Sequence, residues 1–518
     1  MDDKLILTID MGTQSLRAGL VNKKGEIVAI HKEKYEQPYF SNKIGYSEQD
    51  PNFYVQMLGK ACKTLLNEHK DLINNILAVS YDCFRDSAVM CDENMKPLRP
   101  CILWLDQRQA EGKEKISWYS HFCFWIAGKY DTLILNRRRT PAHWVKENEP
   151  EIWSKVKRYM NISTYVIYNL INEYKDTASD YVGHFPIDFK RRKFYKSNKH
   201  FQGQAFGVSL DKLCELVESN VPLGTITKEA SELTGIPEGL KLFVPGSDKA
   251  CEGIGLGVVS TDTAAVSCGT ASTVGTLSKR YLGPEPLLPA YPSAVPGYFN
   301  TETQIYRGFW MLGWFAREFA QRETEQSQLN HIHVEDILNE QLNAIPPGSN
   351  GLVLQPYWGP GLERPLSRGA VIGFSDTHTK MHLYRAIIEG IDYELRHGLE
   401  DGIEKRFHKS IKRIMIGGGA SQSDAICQIA ADIFNRPTYR VQTFETSSLG
   451  SALCTFLALK EFNSLDEAVN AMVHRGDEFV PIPENAKHYN YLYKYAYKKL
   501  YPSLKTIYKD IKLYEEKH

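Results

Sequence analysis

The chain has no CxxC pair among its 10 cysteines, no imbalance of charge and no apolar run of membrane-spanning length. Each absence narrows what the protein does. Irregularly spaced cysteines set inside apolar stretches such as Ala452-Leu453-Cys454-Thr455-Phe456 argue against a disulfide framework or a zinc module, and predict buried thiols in a reducing compartment. Lys and Arg total 62 against 62 Asp and Glu, and a net charge of zero offers no broad attraction for nucleic acid or an anionic membrane. The most tempting apolar piece, Trp118 to Gly128, contains His121 and falls short of the roughly 18 residues that a spanning helix needs. Met1-Asp2-Asp3-Lys4 has no basic region and runs into a strand pattern, so no cleaved leader is expected. The expectation is a soluble, cytoplasmic protein with neither a nucleic-acid nor a membrane partner.

Helical and strand patterns alternate along the 518 residues, which is the mark of an α/β protein with more than one core. Two short stretches say nearly the same thing. Asp10-Met11-Gly12-Thr13-Gln14-Ser15 and Ser267-Cys268-Gly269-Thr270-Ala271-Ser272 each follow an apolar strand pattern and lead into another, so each reads as a tight hairpin turn. A glycine lets backbone approach an anion closely, and neighbouring N–H groups and hydroxyls can then donate to phosphate oxygens. Two equivalent turns imply two equivalent domains clamping a nucleotide. The first is expected over residues 1–257, with an insertion of mainly helices and loops at about 118–220, and the second over 258–518. A second hairpin is expected from Ile76–Ser80 and Ala88–Asp92, and a solvated, Tyr- and Lys-rich helix from Tyr489 to Lys517.

Three further features carry chemistry. Asp10 ends a buried strand, where a carboxylate needs a cation or a polar cleft; its readings are a magnesium-side acid or an Asp that stabilises its own turn. Asp248, in Pro245-Gly246-Ser247-Asp248-Lys249, stands at the head of a helix and reads either as a general base for a hydroxyl attacking phosphorus or as an ordinary N-cap. Gly417-Gly418-Gly419-Ala420-Ser421 joins a strand to a helix and lets backbone lie against a base or phosphate.

These elements, in this order, resemble the FGGY family of carbohydrate kinases over essentially the whole chain. Supporting segments include Gly45-Tyr46-Ser47-Glu48-Gln49-Asp50-Pro51, Trp104-Leu105-Asp106-Gln107-Arg108 and Arg385-Ala386-Ile387-Ile388-Glu389-Gly390. The resemblance implies two actin-like, ribonuclease-H-like ATPase domains with an interdomain cleft, binding ATP and Mg²⁺. Carried over by position, Asp248 is the general base and Asp10 the magnesium-side carboxylate. Gly12, Thr13, Gln14, Gly269 and Thr270 lie near the ATP phosphates, and Gly419, Ala420 and Ser423 border the adenosine. Arg85, Asp86, Trp104 and Asp106 join Asp248 on the substrate side.

The acceptor pocket gives two answers. Cys83-Phe84-Arg85-Asp86 is closer to the polyol-binding pair of glycerol-kinase-like members, whereas the Trp104 and Trp144 segments look like pentulose kinases. The expected activity is transfer of the γ-phosphate of ATP to a small sugar, a ketose such as a pentulose, with a polyol kinase as the alternative. An actin- or chaperone-like ATPase and a silent sugar sensor are the readings from other classes; a homodimer is left open. The run Asn136-Arg137-Arg138-Arg139-Thr140 reads as a solvated face, or as a source of one arginine for an acidic sugar or a phosphate.

Overall fold

The computed structural model describes residues 4–286, 288–359, 364 and 366–515. Its first sheet starts with the antiparallel meander β1 (Leu5–Met11), β2 (Ser15–Asn22) and β3 (Ile27–Lys34). β1 then pairs in parallel with β4 (Ile76–Cys83), and the sheet closes with β5 (Gly224–Thr225) and β6 (Lys241–Phe243) in the order β5-β6-β4-β1-β2-β3. β1 is buried along its whole length, which its unbroken apolar reading permits.

The second sheet repeats this plan. β7 (Thr263–Cys268) and β8 (Ser272–Ser278) form the hairpin, joined by β9 (Tyr291–Pro292) and β10 (Phe299–Ile305) on one side. On the other side β11 (Arg413–Gly417) and β12 (Thr438–Val441) add in parallel, and β13 (Arg475–Phe479) ends the order β9-β10-β8-β7-β11-β12-β13. Each sheet therefore has a meander whose first strand continues into parallel partners, and the chain forms two α/β domains of one design.

The expected second hairpin does not form. β4 has β1 on one edge and β6 on the other, so no edge is left for Ala88–Cys91. That strand turns away at Asp86, where φ is +64°, and pairs with Cys101–Ile102 and Arg158–Asn161 in a separate four-stranded sheet. The insertion at about 118–220 accordingly contributes a strand to that sheet as well as its helices.

Six helices matter to the site or its borders: α1 (Pro51–Glu68), α2 (Trp118–Ile126), α3 (Asp248–Gly255), α4 (Asp424–Phe434), α5 (Thr446–Ala458) and α6 (Lys498–Glu515). α6 realises the expected closing helix as far as Glu515; Lys517 lies outside the described residues. None of the described helices is long and apolar enough to cross a membrane. Nine of the ten cysteines are buried and Cys123 is half-buried, which suits their use as small apolar side chains.

The domains are joined through α3 and α5. A Cβ on Gly255 would lie 1.9 Å from the Thr446 carbonyl oxygen, and one on Gly450 would lie 1.9 Å from that of Cys251. Backbone meets backbone at this crossing. Ile6, Ala78 and Phe243 of the first sheet and Ile254, Leu449 and Leu453 of the two helices share one apolar cluster there. Within it the Ser80 hydroxyl donates to the Ser451 carbonyl at 3.0 Å and accepts from Thr455 at 2.7 Å, so the buried hydroxyls are satisfied. Gly255→Ala and Gly450→Ala should each cost about 3 kcal/mol in urea unfolding. Gly253→Ala, whose Cβ meets nothing within 4 Å, should instead be neutral or stabilising by up to about 1 kcal/mol.

Candidate active site

The cleft between the domains encloses about 1060 Å³, and both glycine-threonine turns face it. The first turn is closed by the Gly12 N–H donating to the Ser15 carbonyl at 3.0 Å, so Asp10 is not needed to hold it. Asp10 is instead buried at the end of β1, in register with Asp82 on β4. Its nearest cation is Arg17, at 3.7 Å, and Arg17 also pairs with Glu445 of the other domain at 2.7 Å. Burial raises the Asp10 pKa; Arg17 offsets part of this, while Asp248 and Glu445 raise it further. Asp82 is fully buried with no hydrogen-bond partner for either oxygen among the described residues, and burial and then the Asp10 charge push its pKa well above the usual range. Two carboxyl groups side by side in a low-dielectric floor are costly without a cation.

The second turn is held by donors from a distant segment. Gly308 and Phe309 donate their N–H groups to the carbonyls of Thr270 and Gly269, at 3.0 and 3.2 Å, so these two carbonyls are occupied. Gly418 lies directly on this turn: its φ is +90°, and a Cβ there would come within 3.0 Å of the Cys268 backbone. Only glycine fits. Gly418, Gly419 and Gln422 line the cleft. Ala420 and Ser423 do not; Ala420 packs against the core, and Ser423 caps α4 by accepting from Ile426 N at 3.5 Å.

Asp248 sits on the cleft floor as the first residue of α3. The cap is Ser247, whose hydroxyl accepts from Ala250 N at 3.4 Å, so the N-cap reading of Asp248 falls. The Asp248 carboxylate takes the Lys249 N–H at 2.7 Å. Burial raises its pKa above 3.8, against the lowering effect of Lys249 and Arg85.

On the wall expected from sequence to meet the substrate, the Trp104 indole N–H donates to the Thr13 hydroxyl at 3.0 Å, tying this wall to the first turn. Arg85 pairs with Glu302 of the second domain at 2.9 Å, both side chains nearly buried, and Asp86 pairs with His184 at 3.1 Å. Asp106 lines the cleft, but its oxygens are occupied: they accept from Ser47 N at 2.6 Å and from Arg108 Nε and Nη2 at 2.8 Å. The arginine run is not the solvated face that its composition predicts. Arg137 is buried and donates to the Glu114 carbonyl, and Arg139 reaches the cleft, where burial lowers its pKa.

Residues 5–255 match the N-terminal domain model of the FGGY family of carbohydrate kinases, and residues 264–459 match its C-terminal domain model. The chain belongs to the FGGY family. It is 27% identical to a xylulose kinase of Lactococcus lactis, over 97% of each chain, and 26% identical to a gluconokinase of Bacillus subtilis, over 94% of each. Among solved structures, ligand-bound xylulose kinase of Lactobacillus acidophilus superposes with a TM-score of 0.77 at 20% identity, covering 98% of this chain and all of that one.

In this FGGY chain every residue that the resemblance carries to the site lines the cleft except Ala420 and Ser423. Asp82, Lys249 and Glu302 also bear on the site, and sequence reading passed over them. Asp82 had a signal, an acid ending an apolar strand as Asp10 does; Lys249 stood beside Asp248. Glu302 had none, since it lies in the polar stretch Asn300-Thr301-Glu302-Thr303-Gln304 and meets Arg85 only in the folded chain. The occupied oxygens of Asp106 predict that Asp106→Asn lowers stability by about 2 kcal/mol, because buried Arg108 loses one of its two carboxylate partners and keeps only Glu48. Urea unfolding checks this, and an unchanged midpoint would return Asp106 to the acceptor side.

Proposed function

We propose that this chain transfers the γ-phosphate of ATP to a hydroxyl of a small ketose such as a pentulose. The observation that carries the reading is one buried carboxylate, Asp248, in a cleft lined by both glycine-threonine turns. The repeated strand order supports two actin-like, ribonuclease-H-like domains, over about 1–257 and 258–518, with ATP across the turns at Gly12–Gln14 and Gly269–Thr270. The buried thiols fit a reducing cytoplasm.

Asp10, with Asp82 beside it, fits the place of a magnesium ion, because two crowded and poorly partnered carboxyl groups are relieved by a cation. When bound, the ion supplies charge neutralisation to the phosphate oxygens. The chain's own work is orientation. Asp248 holds the acceptor hydroxyl in line and takes its proton late, since phosphoryl transfer runs through a loose transition state that asks little of a base. Trp104 couples the acceptor wall to the turn that carries phosphate. Closure of the domains about the α3–α5 crossing excludes water and suppresses ATP hydrolysis.

Arg85 and Asp86 are already paired with Glu302 and His184, which weighs against their bracketing a polyol as a free pair. A coupled ADP-release screen over pentuloses, hexuloses, glycerol, erythritol and aldonates should give a ketose as the sharp hit. A glycerol or erythritol hit would favour the polyol kinase, and ATP hydrolysis that no acceptor stimulates would favour the actin-like ATPase. Asp248→Ala should bind ATP normally and lose on the order of 10³-fold or more in kcat. Asp248 accepts a proton only when ionised, and burial holds its pKa above 3.8, so kcat/KM should fall as pH drops through that raised value. Near-normal turnover of the alanine variant would reject the assignment.

A further inference from the structure

Lys249 joins Asp248 to the second turn. Its backbone N–H donates to the Asp248 carboxylate at 2.7 Å, while its side chain runs to the end of β7, where Nζ donates to Ser267 Oγ at 2.6 Å and to Glu252 Oε2 at 2.8 Å. The ammonium lies 3.5 Å from where a Cβ on Gly269 would stand, and it lines the cleft with Asp248, Gly269 and Thr270. An ammonium has three donors, and Ser267 and Glu252 use two. Burial alone would lower its pKa, but Glu252 and Asp248 outweigh this and keep it charged.

A permanent cation between the general base and a phosphate-facing turn is placed where the transferring group gathers charge. Glu252 and Ser267 fix its position in advance, so little reorganisation is required when that charge develops. We infer that Lys249 is a catalytic residue whose ammonium contacts the γ-phosphoryl group of the nucleotide, making the site selective for a triphosphate over a diphosphate. This rests on the kinase reading above. In the transfer itself the acceptor oxygen bonds to the γ-phosphorus as the bond to the β-phosphate oxygen breaks, the hydroxyl proton goes to Asp248, and Lys249 keeps all its protons.

The alternative is structural, a strut between α3 and β7, and a strut does not distinguish nucleotides. Calorimetric titration with AMP-PNP and with ADP, each with magnesium chloride, separates the two. Lys249→Met should weaken AMP-PNP binding on the order of 10- to 100-fold and leave ADP within about 3-fold of the unsubstituted chain. Lys249→Arg, which keeps the charge, should recover most of the difference. With the acceptor found in the screen, kcat of Lys249→Met should fall on the order of 10²- to 10³-fold while the acceptor KM changes little. Equal AMP-PNP affinity in the Met variant and the unsubstituted chain, or equal losses for both nucleotides, would overturn the assignment. If Lys249→Met does not fold, Lys249→Gln is judged by the same ratio. Failure of the unsubstituted chain to phosphorylate any acceptor would defeat the kinase reading, whereas an unchanged ratio defeats the lysine assignment alone.

Discussion

The close crossing of α3 and α5 is the constraint on which the rest depends. Gly255 rests on the Thr446 carbonyl and Gly450 on the Cys251 carbonyl, at separations that no side chain allows. Each helix begins at the cleft floor, α3 with Asp248 and α5 just after Glu445. Holding the helices together therefore holds the carboxylate of one domain against the loop of the other, and the Ser447 hydroxyl donates to the Asp248 carbonyl at 3.4 Å. The backbone contact leaves this join no room to slide.

Charge at the floor follows from that geometry. Asp10, Asp82 and Asp248 gather on the first domain's side, and the cations that answer them reach across: Arg17 bridges Asp10 to Glu445, and Arg85 runs to Glu302. In a low-dielectric site such charges act strongly and are costly when left alone. The arrangement thus depends on both domains at once.

Much of this was legible in one dimension. The two glycine-threonine turns, the acid ending β1 and the glycine run after β11 are local events, set by strand pattern and, at Gly418, by a backbone conformation that favours glycine. The helix at Asp248 was equally plain, but its cap was not, since Ser247 and Asp248 are both good capping residues and only geometry chooses between them. The hairpin expected from Ile76 and Ala88 failed because pairing along β4 is decided by which distant strands occupy its edges. Asp106 was found for its motif, yet its carboxylate turned out to belong to Arg108 and Ser47.

The sequence by itself determined the duplicated α/β plan, the family and the positions of both glycine-threonine turns, because these are written in local periodicity and in short motifs between strand patterns. Tertiary structure alone decided which acids crowd together, which arginines are spoken for and which lysine meets the second turn. Those outcomes depend on contacts between residues up to hundreds of positions apart, where burial and pairing set the energy of each charge.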